Sequence, residues 1–362
     1  MTELVGVTEI GALAGVTKQA VSNWRHRHDS FPRPIQLLST GPVWDKEAIV
    51  RWIKGHQGEP THVISFINLK GGVGKTTVCT AVAEMLAKER GKHVLVIDLD
   101  PQTNATVALI SEEKWAALDE AGQTIAQIFV DRLKPEGNDL FDIEKAIVRR
   151  VSPIDGGIHR LELLASSIRL IDVQDEVPLI ALKANFSVNP LEILKRVIAP
   201  VIDGYDYVLI DCPPSLGAIT KNGLRISSAY VIPTIPDVLS TWGIYQIVHS
   251  VDRFAREVKH DIRALGIVAS KVRGNDLHRR ICEDLKQQRL GRFSNAEGAL
   301  EQPPLFSARI PDAVDVARGA DVDAGFNTPR QRYGSAYNAL SQLTAEIEEK
   351  CQQMTSSQYS RT

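Results

Sequence analysis

The chain has 362 residues, a formal net charge of −2, and 43% hydrophobic but only 6% aromatic residues. That length fits two domains or one large domain with an appendage, and the near-neutral balance excludes a globally basic nucleic-acid binder, so any DNA contact must come from a local patch. No apolar run approaches the ~20 residues of a membrane-spanning helix, and the start of the chain lacks the charged-then-apolar pattern of a signal peptide.

Taken in chain order, residues 1–58 read as a separate unit closed by a linker from Gly55 to Pro60. A short helix from Thr8 ends in Gly15, and a second begins at the N-cap Thr17 and runs to Arg27. Helix, glycine-containing turn and helix form the helix-turn-helix layout. The second helix is expected to hide Ala20, Val21 and Trp24. It would then present Lys18, Gln19, Ser22, Asn23, Arg25 and Arg27 outward, side chains of the types that read base edges and hold phosphates. A Thr40-Gly41-Pro42 turn follows, and Asp45 caps a third helix from Lys46 to Ile53. This layout resembles the winged helix-turn-helix of MerR- and AlpA-like regulators, in which the turn after the recognition helix makes a wing. The alternative is a small helical bundle that packs on the rest of the chain or mediates dimerisation.

From residue 61 strands alternate with helices, the mark of a mostly parallel sheet covered on both faces. The apolar run His62–Ile67 leads into Leu-Lys-Gly-Gly-Val-Gly-Lys-Thr-Thr at 69–77, and a helix follows to Arg90, closed by Gly91. Strand, glycine-rich turn and helix cradle nucleotide phosphates: backbone N–H groups close around the anion and the helix N-terminus adds its dipole. The nucleotide-binding residues are then Lys70, Gly71, Gly72, Val73, Gly74, Lys75, Thr76 and Thr77. Lys75 reaches the β- and γ-phosphates and the Thr76 hydroxyl sits on Mg²⁺. Further strands are expected at 93–98, 161–165, 205–211, 229–233 and 262–270. Residues 111–160 read as helices and loops over one edge, 329–353 as a closing helix, and 354–362 as a disordered tail.

Two strands end in carboxylates. Asp98 and Asp100 occupy alternate positions and face one side, where a cation, phosphates and a lysine would offset the cost of buried charge. One aspartate could assist Mg²⁺ and the other position the attacking water. Val208–Asp211, followed by Cys-Pro-Pro-Ser, is an apolar strand ending in an aspartate that would hold a water of the Mg²⁺ shell.

A glycine usually stands where this loop has Leu69, and the neighbouring position carries a second lysine, Lys70. A loop with both Lys70 and Lys75 resembles the deviant Walker A of the ParA and MinD family. Together with Asp98-Leu-Asp100-Pro-Gln102 and the Asp211 strand, the resemblance to ParA-type partition ATPases runs from about residue 61 to 345. It implies an α/β fold with a mostly parallel, doubly wound P-loop sheet at 61–353, behind a small all-α or winged helix-turn-helix domain at 1–58. It also implies slow ATP hydrolysis in which Lys70, Lys75 and Asp100 are catalytic. Asp100 would activate water, and Thr76, Asp98 and Asp211 would surround Mg²⁺. Lys70 would reach across an ATP-dependent homodimer. The resemblance further implies a cytoplasmic, nucleoid-associated protein that binds DNA, answers to a ParB-type centromere-binding protein, and represses its own operon through residues 1–58.

The DNA surface is where the resemblance departs. Arg273 fits one of the family's two arginine-bearing segments. In the other, Asp312 and Asp315 stand where many ParA proteins carry arginines, which predicts either a patch moved to Arg309, Arg318, Arg330 and Arg332 or a protein that does not ride on bulk DNA. A nucleotide-switched transcriptional regulator is therefore the alternative function. The acidic end of the chain, Ala345 to Gln353, disfavours membrane cycling of the MinD kind. The four cysteines, Cys79, Cys212, Cys282 and Cys351, form no CxxC pair, which predicts isolated reduced thiols and no metal cluster.

Overall fold

The computed structural model describes residues 3–27, 31–39, 41–56, 61–133, 140–183, 188–290, 300–312 and 325–359. Near the N-terminus β1 (Leu4–Val5) leads into α1 (Val7–Ala14), whose C-cap Gly15 takes the left-handed conformation (φ 70°). Glycine adopts that conformation without steric cost, which lets the chain turn at once into α2 (Lys18–Arg27). Then β2 (Gln36–Leu38) pairs antiparallel with β3 (Gly41–Asp45), and β1 pairs with the other edge of β3. The Asp45 carboxylate accepts from Ala48 N at 2.9 Å and caps α3 (Lys46–His56), as its position predicts. An aromatic cluster holds this unit together: Trp24 lies 5.3 Å from Trp52, and Phe31 lies 4.7 Å from Trp52 and 5.8 Å from Trp44.

The remainder is built on one eight-stranded sheet. In chain order its strands are β4 (His62–Phe66), β5 (Val94–Asp98), β6 (Ile147–Arg149), β7 (Leu161–Leu164), β8 (Tyr207–Asp211), β9 (Ala229–Thr234), β10 (Arg263–Val272) and β11 (Leu305–Pro311). Their spatial order is β11-β10-β9-β4-β8-β5-β7-β6, parallel throughout except for β6, which pairs antiparallel with β7 at the edge. The central strands are apolar on both faces because helices cover both sides. Ile64, Phe66, Val94 and Val96 join one core with the buried face of α4 (Lys75–Lys88). Val63, Leu95, Ile97, Val208 and Ile210 join the other with α6 (Ile193–Ile202) and α7 (Ala218–Ile226). The period-two alternation along each strand assigns these residues to opposite faces.

Two strands were not expected. β6 is three residues long, and β11 follows a stretch without a clean apolar run. At the end of the chain, α9 (Pro329–Tyr333) is followed by a single 3₁₀ turn and then α10 (Tyr337–Tyr359). The expected disordered tail is therefore helical through Tyr359. Met354 packs on the core that α4 shares, and the Thr355 and Ser356 hydroxyls bond back to the carbonyls of Cys351 and Gln352.

Candidate nucleotide site

The register of the sheet assembles the site. Phe66, the last residue of β4, stands opposite Asp211 at the end of β8, and Asp211 stands opposite Asp98 at the end of β5. The glycine-rich loop, the β8 aspartate and the Asp98–Asp100 segment therefore emerge side by side at the carboxyl edge. There the chain leaves β4 toward β5 on one side and leaves the adjacent β8 toward β9 on the other, the switch point where open α/β sheets bind ligands.

The loop folds around Gly72 (φ 72°) and Gly74 (φ 83°), both in the left-handed region, and α4 begins directly at Lys75. Two partners outside the loop hold it. Asn68 Oδ1 accepts from Lys70 N at 2.9 Å while its Nδ2 donates to Pro233 O at 2.7 Å. The Ser270 hydroxyl, at the end of β10, donates to Val73 O at 2.5 Å. Neither residue was singled out from the sequence, because a polar residue at a strand end has no distinctive spacing.

Lys75 is buried and its Nζ lies 3.4 Å from Lys70 O, turned into the loop. Thr76 Oγ1 donates to Asp211 Oδ2 at 2.6 Å, while the buried Asp211 Oδ1 has no partner. Burial, and then the charge of Asp98, push the Asp211 carboxyl well above its usual range. Asp98 is committed elsewhere. Its Oδ2 accepts from Thr106 N and Thr106 Oγ1, both at 2.8 Å, and its Oδ1 accepts from Asp100 N at 3.0 Å. This fixes the start of α5 (Asn104–Leu109), and burial raises the Asp98 carboxyl to about 7. Asp98 thus holds the turn, leaving Asp211 with the open oxygen. Asp100 lines the cavity; its Oδ1 accepts from Gln102 N at 3.0 Å, and its carbonyl is held by the Ser166 hydroxyl at 2.7 Å.

The cavity in front of the loop is about 430 Å³. Gly71, Gly72, Gly74, Lys75, Thr76 and Thr77 form one wall, Asp100 and Pro214 another, and Lys271, Arg332 and Tyr333 close it. Lys70 does not point into it. Its Nζ sits 3.0 Å from both Asp237 Oδ2 and Ser240 Oγ, at the start of α8 (Val238–Val258).

The expected DNA-binding residues fare differently. Ala20, Val21 and Trp24 are inside, as anticipated, and Lys18 and Gln19 are exposed. Asn23 is not outward: it is buried, and its Nδ2 donates to Pro200 O. Ser22 is half-buried, Arg25 stacks over Trp44 at 5.0 Å, and the side chain of Arg27 lies outside the described residues. Arg273 is exposed but paired with Asp312 at 2.8 Å. A relocated patch does not include Arg332, which is buried against Glu84, nor Arg309, whose guanidinium caps the carbonyls of Phe306, Ser307 and Ala308. Arg330 stacks on Tyr337; Asp315 and Arg318 lie outside the described residues. Among the described residues there is no metal-ligating cluster, and no helix is long and apolar enough to cross a membrane.

A parallel sheet with a glycine loop opening a helix, a lysine and threonine at the helix start and an aspartate on the next strand define a P-loop nucleotide-binding protein. The chain belongs to the AAA domain family, whose profile matches residues 61–264, and within it to the Soj type of P-loop protein. It is 32% identical over 211 residues to the sporulation initiation inhibitor protein Soj of Bacillus subtilis (strain 168), covering 58% of this chain and 72% of Soj. The fold is shared with a plasmid partition protein from Borrelia burgdorferi (TM-score 0.56, 18% identity, 80% of this chain and 99% of that one). It is also shared with cobyrinic acid a,c-diamide synthase from Mycobacterium smegmatis with bound ATP analog and magnesium (TM-score 0.58, 23% identity, 79% and 93%).

Proposed function

We propose that the chain is an ATP-dependent DNA-partition ATPase: it binds ATP and Mg²⁺, closes into a homodimer, binds DNA, and is switched off when a ParB-type partner stimulates hydrolysis. The observation that carries this reading is the grouping of Lys75 and Thr76, at the start of α4, with Asp211, at the end of the strand paired with β4, and with a second lysine, Lys70, at the rim. The buried, unpartnered Asp211 Oδ1 fits a divalent cation with its water shell, and Thr76 Oγ1 beside it fits as a direct ligand. When bound, Mg²⁺ would neutralise charge on the β- and γ-phosphates.

Lys75 contributes a fixed positive charge to the same phosphates, and the loop amides add their dipoles. Asp100, tethered through its backbone to Ser166 and Asp98, orients the attacking water. Lys70 reaches a partner's nucleotide once it leaves Asp237; Leu239 and Trp242, 78% and 55% exposed beside it, suit a face that a second copy covers. The relationship to Soj, and the ATP analog and magnesium in the Mycobacterium smegmatis synthase, support nucleotide and role together. Residues 1–58 act as a winged helix-turn-helix that represses the protein's own operon.

One observation favours a second reading, a nucleotide-switched regulator with little partition role. Arg273 spends its charge on Asp312, which weakens any grip of the ATPase domain on bulk DNA. Site variants test the enzyme assignment. Lys75→Ala should abolish ATP binding in equilibrium dialysis. Asp100→Ala should bind ATP normally, lose turnover and accumulate as an ATP-bound dimer on a sizing column; hydrolysis at the wild-type rate would remove Asp100 from the mechanism.

A further inference from the structure

The polar edge of α2 is already in use. Asn23, 4% exposed, donates through Nδ2 to Pro200 O at 3.1 Å, and Trp24 Nε1 donates to Asp203 O at 3.1 Å. Gln19 Nε2 donates to Glu144 Oε1 at 3.1 Å. The first two acceptors have a common origin. Pro200 stands in the last turn of α6 and Asp203 is its C-cap, where carbonyls lack the N–H partner that the next turn would supply. No basic side chain occupies that last turn to cap them. Two donors from α2 therefore finish the end of a helix belonging to the ATPase body.

We propose that the C-terminal end of α6 is a docking surface for α2 and that duplex DNA competes with it for the same polar edge. Asn23, buried and tied to Pro200 O, is out of reach of a base edge while docked, and Gln19 is held beside the Glu144 carboxylate, whose charge repels phosphates. Among the described residues expected to contact DNA, Lys18 and Gln19 are exposed, Gln19 bonded to Glu144, while Asn23 is buried, Ser22 is half-buried and Arg25 stacks on Trp44. Binding then requires undocking, and the apparent affinity falls by the fraction of molecules that are undocked. This inference rests on the DNA-binding reading of residues 1–58.

The test uses the full chain with Trp24→Phe and Glu144→Ala combined. Phenylalanine keeps an aromatic ring against Trp52 but has no N–H for Asp203, and alanine releases Gln19; neither residue belongs to the proposed DNA-contacting set. Both proteins are used to select sequences from a pool of duplexes with randomised centres, and dissociation constants are measured on the duplexes retained. The double variant should bind about tenfold tighter, within the range expected for losing two such bonds. Glu144→Ala alone, which also gives up a partly exposed ion pair with Arg149, should move in the same direction by less, its fold checked by unchanged ATP binding. In wild-type protein the Trp24 indole N–H signal, identified by its loss in Trp24→Phe, should exchange slowly alone and quickly when the duplex is added. Equal affinities, or a Trp24 indole still protected in the DNA complex, would overturn docking as a competitor while leaving the unit a DNA binder. If neither protein retains any duplex although both still bind ATP, the DNA-binding reading itself fails, and this inference with it.

Discussion

Lys70 is the residue whose single-chain geometry says most about the next state of the protein. Its ammonium is shared between Asp237 and Ser240 on an exposed side chain, so the contact is worth little and can be exchanged. Asp237 also caps α8 through Ser240 N at 2.7 Å. Burial opposes ionisation of Asp237, but the bonds from Ser240 and Lys70 outweigh it and hold the carboxyl below its usual range. Asp237→Asn separates the two roles, since asparagine still caps a helix but offers Lys70 no charge. Stability should change by less than ~1 kcal/mol, whereas ATP-dependent dimerisation, followed by analytical ultracentrifugation, should strengthen several-fold. Weaker dimerisation would mean that Asp237 guides Lys70 across the interface instead of restraining it. The lysine pair and the aspartates at 98, 100 and 211 were legible in the sequence because loop chemistry fixes their spacing. Asp237 was not, because its contact joins residues 167 positions apart through two loops.

Among the elements, α4 shows what the sequence conceals. Its apolar residues lie all round, as befits a helix between the sheet and α10, yet Glu84 in its middle is fully buried. Arg332 on α9 forms an ion pair with it, Tyr333 Oη donates to it at 2.7 Å, and Ser152 Oγ at 2.5 Å. Arg332 also donates to Ala108 O at 2.9 Å. Three segments distant in sequence, around Ala108, Ser152 and Arg332–Tyr333, are tied to the helix that carries Lys75, and Arg332 and Tyr333 also line the nucleotide cavity. Reading Arg332 as a surface cation failed because an arginine on a short helix looks exposed until its buried partner is known. Arg332→Ala should cost on the order of 3–5 kcal/mol, since it leaves a buried carboxylate without its countercharge. Burial already raises the Glu84 carboxyl, offset first by Arg332. Without Arg332 its folded-state value rises further above the unfolded one, and the proton it binds supports the fold at low pH. The variant should therefore lose additional stability as pH rises from about 4 toward neutrality. Denaturant melts at several pH values would show this slope, and a variant as stable as wild type at neutral pH would mean the pair is dispensable.

At the scale of the whole molecule, the question is where a chain of net charge −2 would hold the DNA proposed for it. That the sheet is mostly parallel and where its site lies were readable from alternating strands and loops, because those patterns are local, whereas the strand order and the edge strands β6 and β11 were not. The contact of α2 with α6 was not, since helix periodicity identifies a polar face without saying what it touches. The same limit applies at the far edge, where Arg273 and Asp312 neutralise each other across the ends of β10 and β11. Among the described residues no other bond to Asp312 depends on its charge: its own N–H donates to Val272 O at 3.1 Å. Asp312→Asn should therefore leave the fold intact and free one guanidinium at the surface. If the ATPase domain meets bulk DNA here, this variant should bind random-sequence duplex more tightly with ATP and Mg²⁺. The slope of log affinity against log salt should then steepen by roughly 0.9, one extra phosphate contact. Arg273→Ala should remove whatever residual binding the wild type shows. If both variants bind random duplex as the wild type does, this edge is not a DNA surface. DNA would then reach the protein only through residues 1–58, and the nucleotide-switched regulator becomes the better description.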